Sequence, residues 1–118
     1  DTVARAEELF KRLGRPKSLG LTVDIGHLEC LGERPLAATV RDVTDRIVNV
    51  HIDDMTACCH EHLPLGKGDI DYRPIFHELF NAGYQGGLHV ELPRQSHRWH
   101  ETAKESYEFI HRMIGHVS

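Results

Sequence analysis

The chain is poor in several things that would otherwise narrow its role. Among 118 residues there are three cysteines, two of them adjacent as Cys58 and Cys59. That number and spacing provide neither a disulfide framework nor a paired zinc knuckle, so structural or incidental thiols in a reduced, cytoplasmic setting are expected. No apolar run approaches the roughly 18 residues of a membrane-spanning helix, which argues against insertion in a bilayer. Positive charge is not in excess: 14 Lys and Arg stand against 18 Asp and Glu, a formal charge of -4 with ten histidines taken as neutral. A diffuse polyanion binder is disfavoured, and no nucleic-acid partner is expected. With 40% apolar and 27% charged residues the composition is that of a globular domain with one modest core.

What is present is a recurrent pattern in which short apolar runs end in acids and histidines. Val3, Ala6, Phe10 and Leu13 recur at helical spacing before Gly14 and Pro16, predicting a first amphipathic helix. Leu19, Leu21, Val23 and Ile25 alternate and predict a buried strand over residues 19–25, with Asp24 at its end and His27 just beyond. Pro35 opens a predicted helix over residues 36–46, and a strand over residues 47–52 carries His51. Residues 53–70 hold Pro64, Gly66, Gly68, four acidic residues and two histidines, which predicts a long loop of the kind that often carries function. Asp71 can cap a helix striped by Ile75, Phe76, Leu79 and Phe80 and ended by Gly83. A strand over residues 88–92 holds Glu91, and a last helix over residues 96–114 is expected to bury Trp99, Ala103, Tyr107, Ile110 and Ile114. The order is one helix followed by three strand and helix units.

Parallel strands joined by helical crossovers bring their C-terminal ends to one edge. Asp24, His51 and Glu91 are then expected to converge as an oxygen, nitrogen, oxygen set suited to a divalent ion (Mn, Zn, Co or Mg), one donor short of a tetrahedral site. Each also has a plainer reading: Asp24 as a turn cap, His51 as a core histidine, and Glu91 as an ion-pair partner of Arg94. His27 can be a ligand, a loop residue or, as favoured here, a hydrogen-bond donor to substrate. His60 and His62 lie on the same side of an extended segment, with Glu61 opposite, and suit a second metal or a substrate lid. Asp53 and Asp54 suit either orientation of His51 or bonding to their own loop backbone.

The stretches Leu21-Thr-Val-Asp24-Ile-Gly-His27, Val50-His51-Ile-Asp53-Asp54, Leu65-Gly66-Lys-Gly68-Asp-Ile-Asp71 and Gly83-Tyr-Gln-Gly86-Gly-Leu-His-Val-Glu91 resemble the last three strand regions of the xylose-isomerase-like TIM barrels, the sugar phosphate isomerase/epimerase superfamily. The resemblance covers nearly all of the chain. It implies an α/β fold in which residues 1–118 are the C-terminal portion of one (β/α)8 barrel, because a whole barrel takes about 250 residues.

The resemblance also implies a divalent ion held by Glu, Asp, His and Glu, the last three matched by Asp24, His51 and Glu91. His27 matches the histidine that contacts substrate oxygens. The first Glu belongs to an earlier strand that this sequence lacks. The implied reaction is isomerisation or epimerisation of a sugar or sugar-like polyol or keto substrate through an enediolate, with Glu91 moving the proton and with the chain as given inactive alone. A lyase, dehydratase or hydrolase of a sugar or inositol derivative is the main alternative, and a non-catalytic sugar-binding protein is another. The endonuclease IV type of DNA repair enzyme is similar in its His60-Glu61-His62 loop, but His60 stands where an Asp is expected and the acidic balance argues against DNA. Unpaired strand edges predict a homo-oligomer or a covering segment.

Overall fold

The structure, a computed structural model, describes residues 2–115. Helix α1 (Val3–Arg12) is opened by Thr2, whose hydroxyl accepts a bond from the Arg5 N–H, and buries Phe10. Strand β1 (Leu21–Asp24) leads into a short helix α2 (Ile25–Cys30), followed by α3 (Leu36–Arg41), a 3-10 turn at Thr44–Arg46 and strand β2 (Ile47–Ile52). Helix α4 (Tyr72–Asn81) starts at the Asp71 cap, strand β3 (Leu88–Val90) follows, and a 3-10 segment (Pro93–Arg98) runs into α5 (Trp99–Gly115).

The three strands form one parallel sheet in the order β1-β2-β3, open at both sides among the described residues. Its two faces differ sharply. Val23 pairs with Val50, Val50 with Leu88 and Ile52 with Val90, and this row meets the helices. There Val40, Val50, Ile52, Ile75, Phe76 and Leu79 are buried, consistent with hydrophobic burial as the main stabilising contribution. The other face carries Thr22 opposite Asn49, and Asp24, His51 and His89 side by side, none of them buried. An apolar outer row against the helices, with polar residues gathered at the C-terminal ends of the strands, is the arrangement of a barrel wall near its functional mouth, and the open, helix-flanked parallel sheet is a portion of that (β/α)8 architecture.

Several expectations need correction. The first strand is confined to Leu21–Asp24, because Asp24 accepts the backbone N–H of His27 and so starts a helix at Ile25; this helix, stopped near Gly32 with φ +71°, falls where the apolar alternation predicts strand and loop. The helix expected over residues 36–46 ends at Arg41, and the chain tightens into the 3-10 turn before β2. The strand expected over residues 88–92 extends only to Val90, although the Glu91 N–H still donates to the Ile52 carbonyl at 3.0 Å.

The last helix begins at Trp99 and meets the expectation only in its second half: Ile110 and Ile114 pack partly buried against the core, but Trp99, Ala103 and Tyr107 are exposed and Thr102, Ser106 and Phe109 are the buried residues. Phe109 sets the rotation of the helix. Its ring meets Tyr72 edge-on at 6.1 Å and lies against Gly66, where a Cβ would come within 3.1 Å of it. The apolar stripe read from spacing is real, but it lies roughly a quarter-turn from the face anchored to this core.

Candidate metal centre

The inner row ends in the first donor set. Register places Asp24 opposite His51 across β1 and β2, and Glu91 follows β3 on the same face. Asp24, His51 and Glu91 each offer one ligand atom such that all three atoms lie within 4.8 Å of one another. His51 Nδ1 and Glu91 Oε2 are 3.2 Å apart. Arg94, the alternative partner considered for Glu91, makes no ion pair with it among the described residues. Asp24 fills the plainer role as well, since its Oδ1 accepts the His27 N–H at 2.9 Å and caps α2. Its Oδ2 lies 3.1 Å from His27 Nδ1. Capping and membership of the donor set are therefore compatible, because a carboxylate has more lone pairs than either role uses.

A second donor set lies alongside. His27, His60 and His62 also offer nitrogens within 4.8 Å of one another. His27 Nε2 and His60 Nε2 are 2.8 Å apart, a spacing at which one nitrogen must donate and the other accept. If the proton on His27 sits on Nδ1, facing Asp24, then its Nε2 accepts and His60 donates. His62 Nδ1 is hydrogen-bonded to Asp53 Oδ2, which leaves its other nitrogen for the cluster.

The two loop aspartates have separate roles, and neither bonds to His51. Asp53, with a side chain 1% exposed, holds His62, while its Oδ1 has no hydrogen-bond partner. Burial, and next the charge of Asp24, push its carboxyl up from 3.8 to about 6, against the pull of the His62 hydrogen bond. The close approach is permitted by Gly26, where a Cβ would fall 1.9 Å from Asp53 Oδ1. Asp54 is fully buried and organises the long loop: Oδ1 accepts the N–H groups of Met55 at 3.0 Å and Ile70 at 3.2 Å, and Oδ2 accepts that of Gly66 at 2.8 Å. An antiparallel bridge between Asp54 and Leu63 adds two backbone bonds. The loop therefore presents His60 and His62 from an anchored frame.

The donor chemistry fits a divalent cation. Two carboxylates and an imidazole suit Mn, Zn, Co or Mg, whereas the all-nitrogen second set favours the imidazole-seeking members of that group. Beside Asp24 and His27, a groove of about 570 Å³ runs between α1 and the free edge of β1, walled mainly by Val3, Ala6, Leu21 and Leu28. Cys58 and Cys59 are exposed and belong to neither set of donors, and no helix among the described residues is long and apolar enough to cross a membrane.

Comparison with known proteins adds an independent line. The sequence matches the xylose isomerase-like TIM barrel family over residues 1–113. It is 29% identical over 101 residues to an uncharacterized protein of Methanocaldococcus jannaschii, covering 83% of this chain and 34% of that protein. It is 30% identical over 140 residues to an inosose dehydratase of Geobacillus kaustophilus, covering 98% of this chain and 44% of that one. The solved structure of a D-tagatose 3-epimerase-like protein superposes with a TM-score of 0.71 at 26% identity, over 86% of this chain and 37% of the other. The chain thus spans between a third and a half of the length of these proteins.

Proposed function

The chain belongs to the xylose isomerase-like TIM barrel family, and on that footing we propose that it is the C-terminal portion, residues 1–118, of one barrel domain that isomerises or epimerises a sugar or sugar-like polyol or keto substrate with a divalent metal ion. The observation that carries this reading is the convergence of Asp24, His51 and Glu91 at one sheet edge, donor atoms within 4.8 Å. A divalent ion bound there supplies Lewis acidity that polarises a carbonyl and lowers the pKa of the adjacent C–H.

The chain's own residues supply the rest. Asp24 and His51 fix the position of the ion from adjacent strands. Glu91, with its side chain partly open, takes the carbon-bound proton to form an enediolate, or returns it. His27, fixed by Asp24 at Nδ1, presents Nε2 to a substrate oxygen once His60 swings aside. In the alternative arrangement, with His60 in place and no substrate on His27, the nitrogens of His27, His60 and His62 would together hold a second divalent ion. The free edge of β1 and the groove beside it have the form of a seat for a further parallel strand, from which a fourth ligand would reach the ion. The free β3 edge and the exposed Trp99 and Tyr107 are covered by the remaining barrel or by a second copy in a homo-oligomer. No nucleic acid is bound, in keeping with the charge of -4, and the protein is cytoplasmic.

Dehydration of an inositol-derived ketone is a second reading, favoured by the identity of 30% to a protein named inosose dehydratase. Both reactions start by removing a proton next to a carbonyl. The test is turnover by the whole protein, loaded with Mn2+ or Co2+, on a panel of ketoses and inosose-type ketones. Glu91→Gln should lower turnover by about 10²–10⁴-fold, the usual contribution of a positioned acid or base. Undiminished turnover in that variant would remove Glu91 from the mechanism, and ketone dehydration without ketose epimerisation would select the second reading.

A further inference from the structure

His89 stands outside both donor sets, yet the sheet places it beside one of the ligands. Register pairs Asp24 with His51 and His51 with His89, so the three form a continuous row across the inner face. Glu91 lies one step further along the same face of the chain, two residues on. The His51 and His89 rings meet edge-on, with centroids 6.0 Å apart and planes at 60°. The chain makes space for this ring: Gly87 precedes His89 by two residues, and a Cβ there would lie 2.6 Å from His89 Nε2. The ring is folded back over the Gly87 backbone, below the level of Glu91.

His51 supplies the need that this ring can meet. Its Nδ1 faces Glu91 Oε2 at 3.2 Å, on the side where an ion would sit. Among the described residues Nε2 makes no hydrogen bond to protein. A histidine that ligates through one nitrogen almost always donates the proton on the other to an acceptor, which fixes both tautomer and ring orientation. A neutral imidazole has one acceptor nitrogen; with the centroids 6.0 Å apart, the two rings must close by roughly 1 Å for that nitrogen to come within hydrogen-bond distance of His51 Nε2.

Resting on the metal reading above, we propose that His89 is a positioning residue of the metal centre, accepting the Nε2 proton of His51 and so holding the tautomer that presents Nδ1 to an ion shared with Asp24 and Glu91. A lumen-facing histidine at this register position would otherwise bring a polar ring into the barrel interior without a partner, an arrangement that folded proteins avoid.

The test is titration of the metal-free protein with Co2+, followed by its d–d absorption, for wild type, His89→Ala and His89→Gln, with metal-free melting curves of all three. His89→Ala should weaken Co2+ binding by about 10–100-fold, the usual effect of removing a ligand's hydrogen-bond partner. The band positions should stay unchanged. His89→Gln, whose amide oxygen accepts the same proton, should recover most of the affinity. Metal-free melting curves that stay cooperative in all three proteins show that a loss of affinity does not come from unfolding. Wild-type affinity in His89→Ala overturns the inference, and so does a Gln variant no better than Ala. A shifted spectrum in the alanine variant makes His89 a ligand instead. A wild-type protein that takes up no Co2+ overturns the metal reading, and the role of His89 with it.

Discussion

Asp54 is the residue whose removal should loosen the candidate site without touching a candidate ligand. Its carboxylate accepts three backbone N–H groups spread over 16 residues of chain: Met55, Gly66 and Ile70. In Asp54→Asn the shape is retained, but one oxygen becomes a donor. The better amide orientation keeps the oxygen on Met55 and Ile70 and turns its NH2 toward the Gly66 N–H, setting donor against donor. An unsatisfied donor of this kind costs about 1–3 kcal/mol, and the two surviving bonds are weakened by the loss of charge. Gly66 is itself exposed, so water can reach that N–H and the lower half of the range applies. Asp54→Ala strands all three donors and opens a void beside Met55, so a loss of about 3 kcal/mol or more is expected. For a whole barrel domain of about 250 residues each kcal/mol corresponds to roughly 2–4 °C in Tm. Thermal denaturation measures the total, and amide hydrogen exchange at Met55, Gly66 and Ile70 localises it. An asparagine variant that melts with wild type and keeps those three amides protected would refute the assignment of Asp54 as the loop's anchor.

Other consequences concern the same neighbourhood. Gly68→Ala should destabilise by about 1–3 kcal/mol, because its Cβ would come within 2.6 Å of the Met55 carbonyl and 2.7 Å of its nitrogen, atoms that cannot turn aside; urea denaturation showing no loss would contradict this. Gly26→Ala should likewise cost stability despite the better helix propensity of alanine, since the new methyl group displaces Asp53; a higher Tm would count against the packing argument. Asp53 has a folded-state pKa of about 6, raised above its ordinary 3.8. The folded state therefore binds the extra proton, and the associated stability is complete below about pH 4 and lost as pH rises through about 6. In metal-free protein, wild type should lose stability relative to Asp53→Asn between these limits, and a difference independent of pH would exclude the shift.

Much of the fold was legible because the local and long-range signals agreed. Strand β2 coincides with its apolar run, and α4 begins where Asp71 can cap and ends before Gly83. Asp24, His51 and Glu91 could be grouped from sequence because parallel topology sends strand ends to one edge, whatever their separation along the chain. Helix α2 was missed because six residues hold too little periodicity, although Asp24 as its cap was the available signal. The face of α5 was read correctly at Ile110 and Ile114 but not at Trp99, Ala103 and Tyr107, because spacing identifies an apolar stripe without saying which partner it meets, and Phe109 on Tyr72 decides that here. The pairing of Asp53 with His62 depends on how the long loop folds back, which no local pattern encodes. His89 has the alternation of an inner-face residue, but only the register with His51 gives it a place beside the site.

Every role proposed at this site depends on Asp24, His51 and Glu91 holding one divalent ion together. The most direct test is equilibrium titration of the metal-free protein with Mn2+, followed by electron paramagnetic resonance of the free ion, for wild type and for Asp24→Asn, His51→Gln and Glu91→Gln. Wild type should take up the ion at this centre, and each single variant should lose that uptake or weaken it sharply while retaining its fold. Uptake in all three variants equal to that of wild type, or none in wild type, would contradict this shared binding.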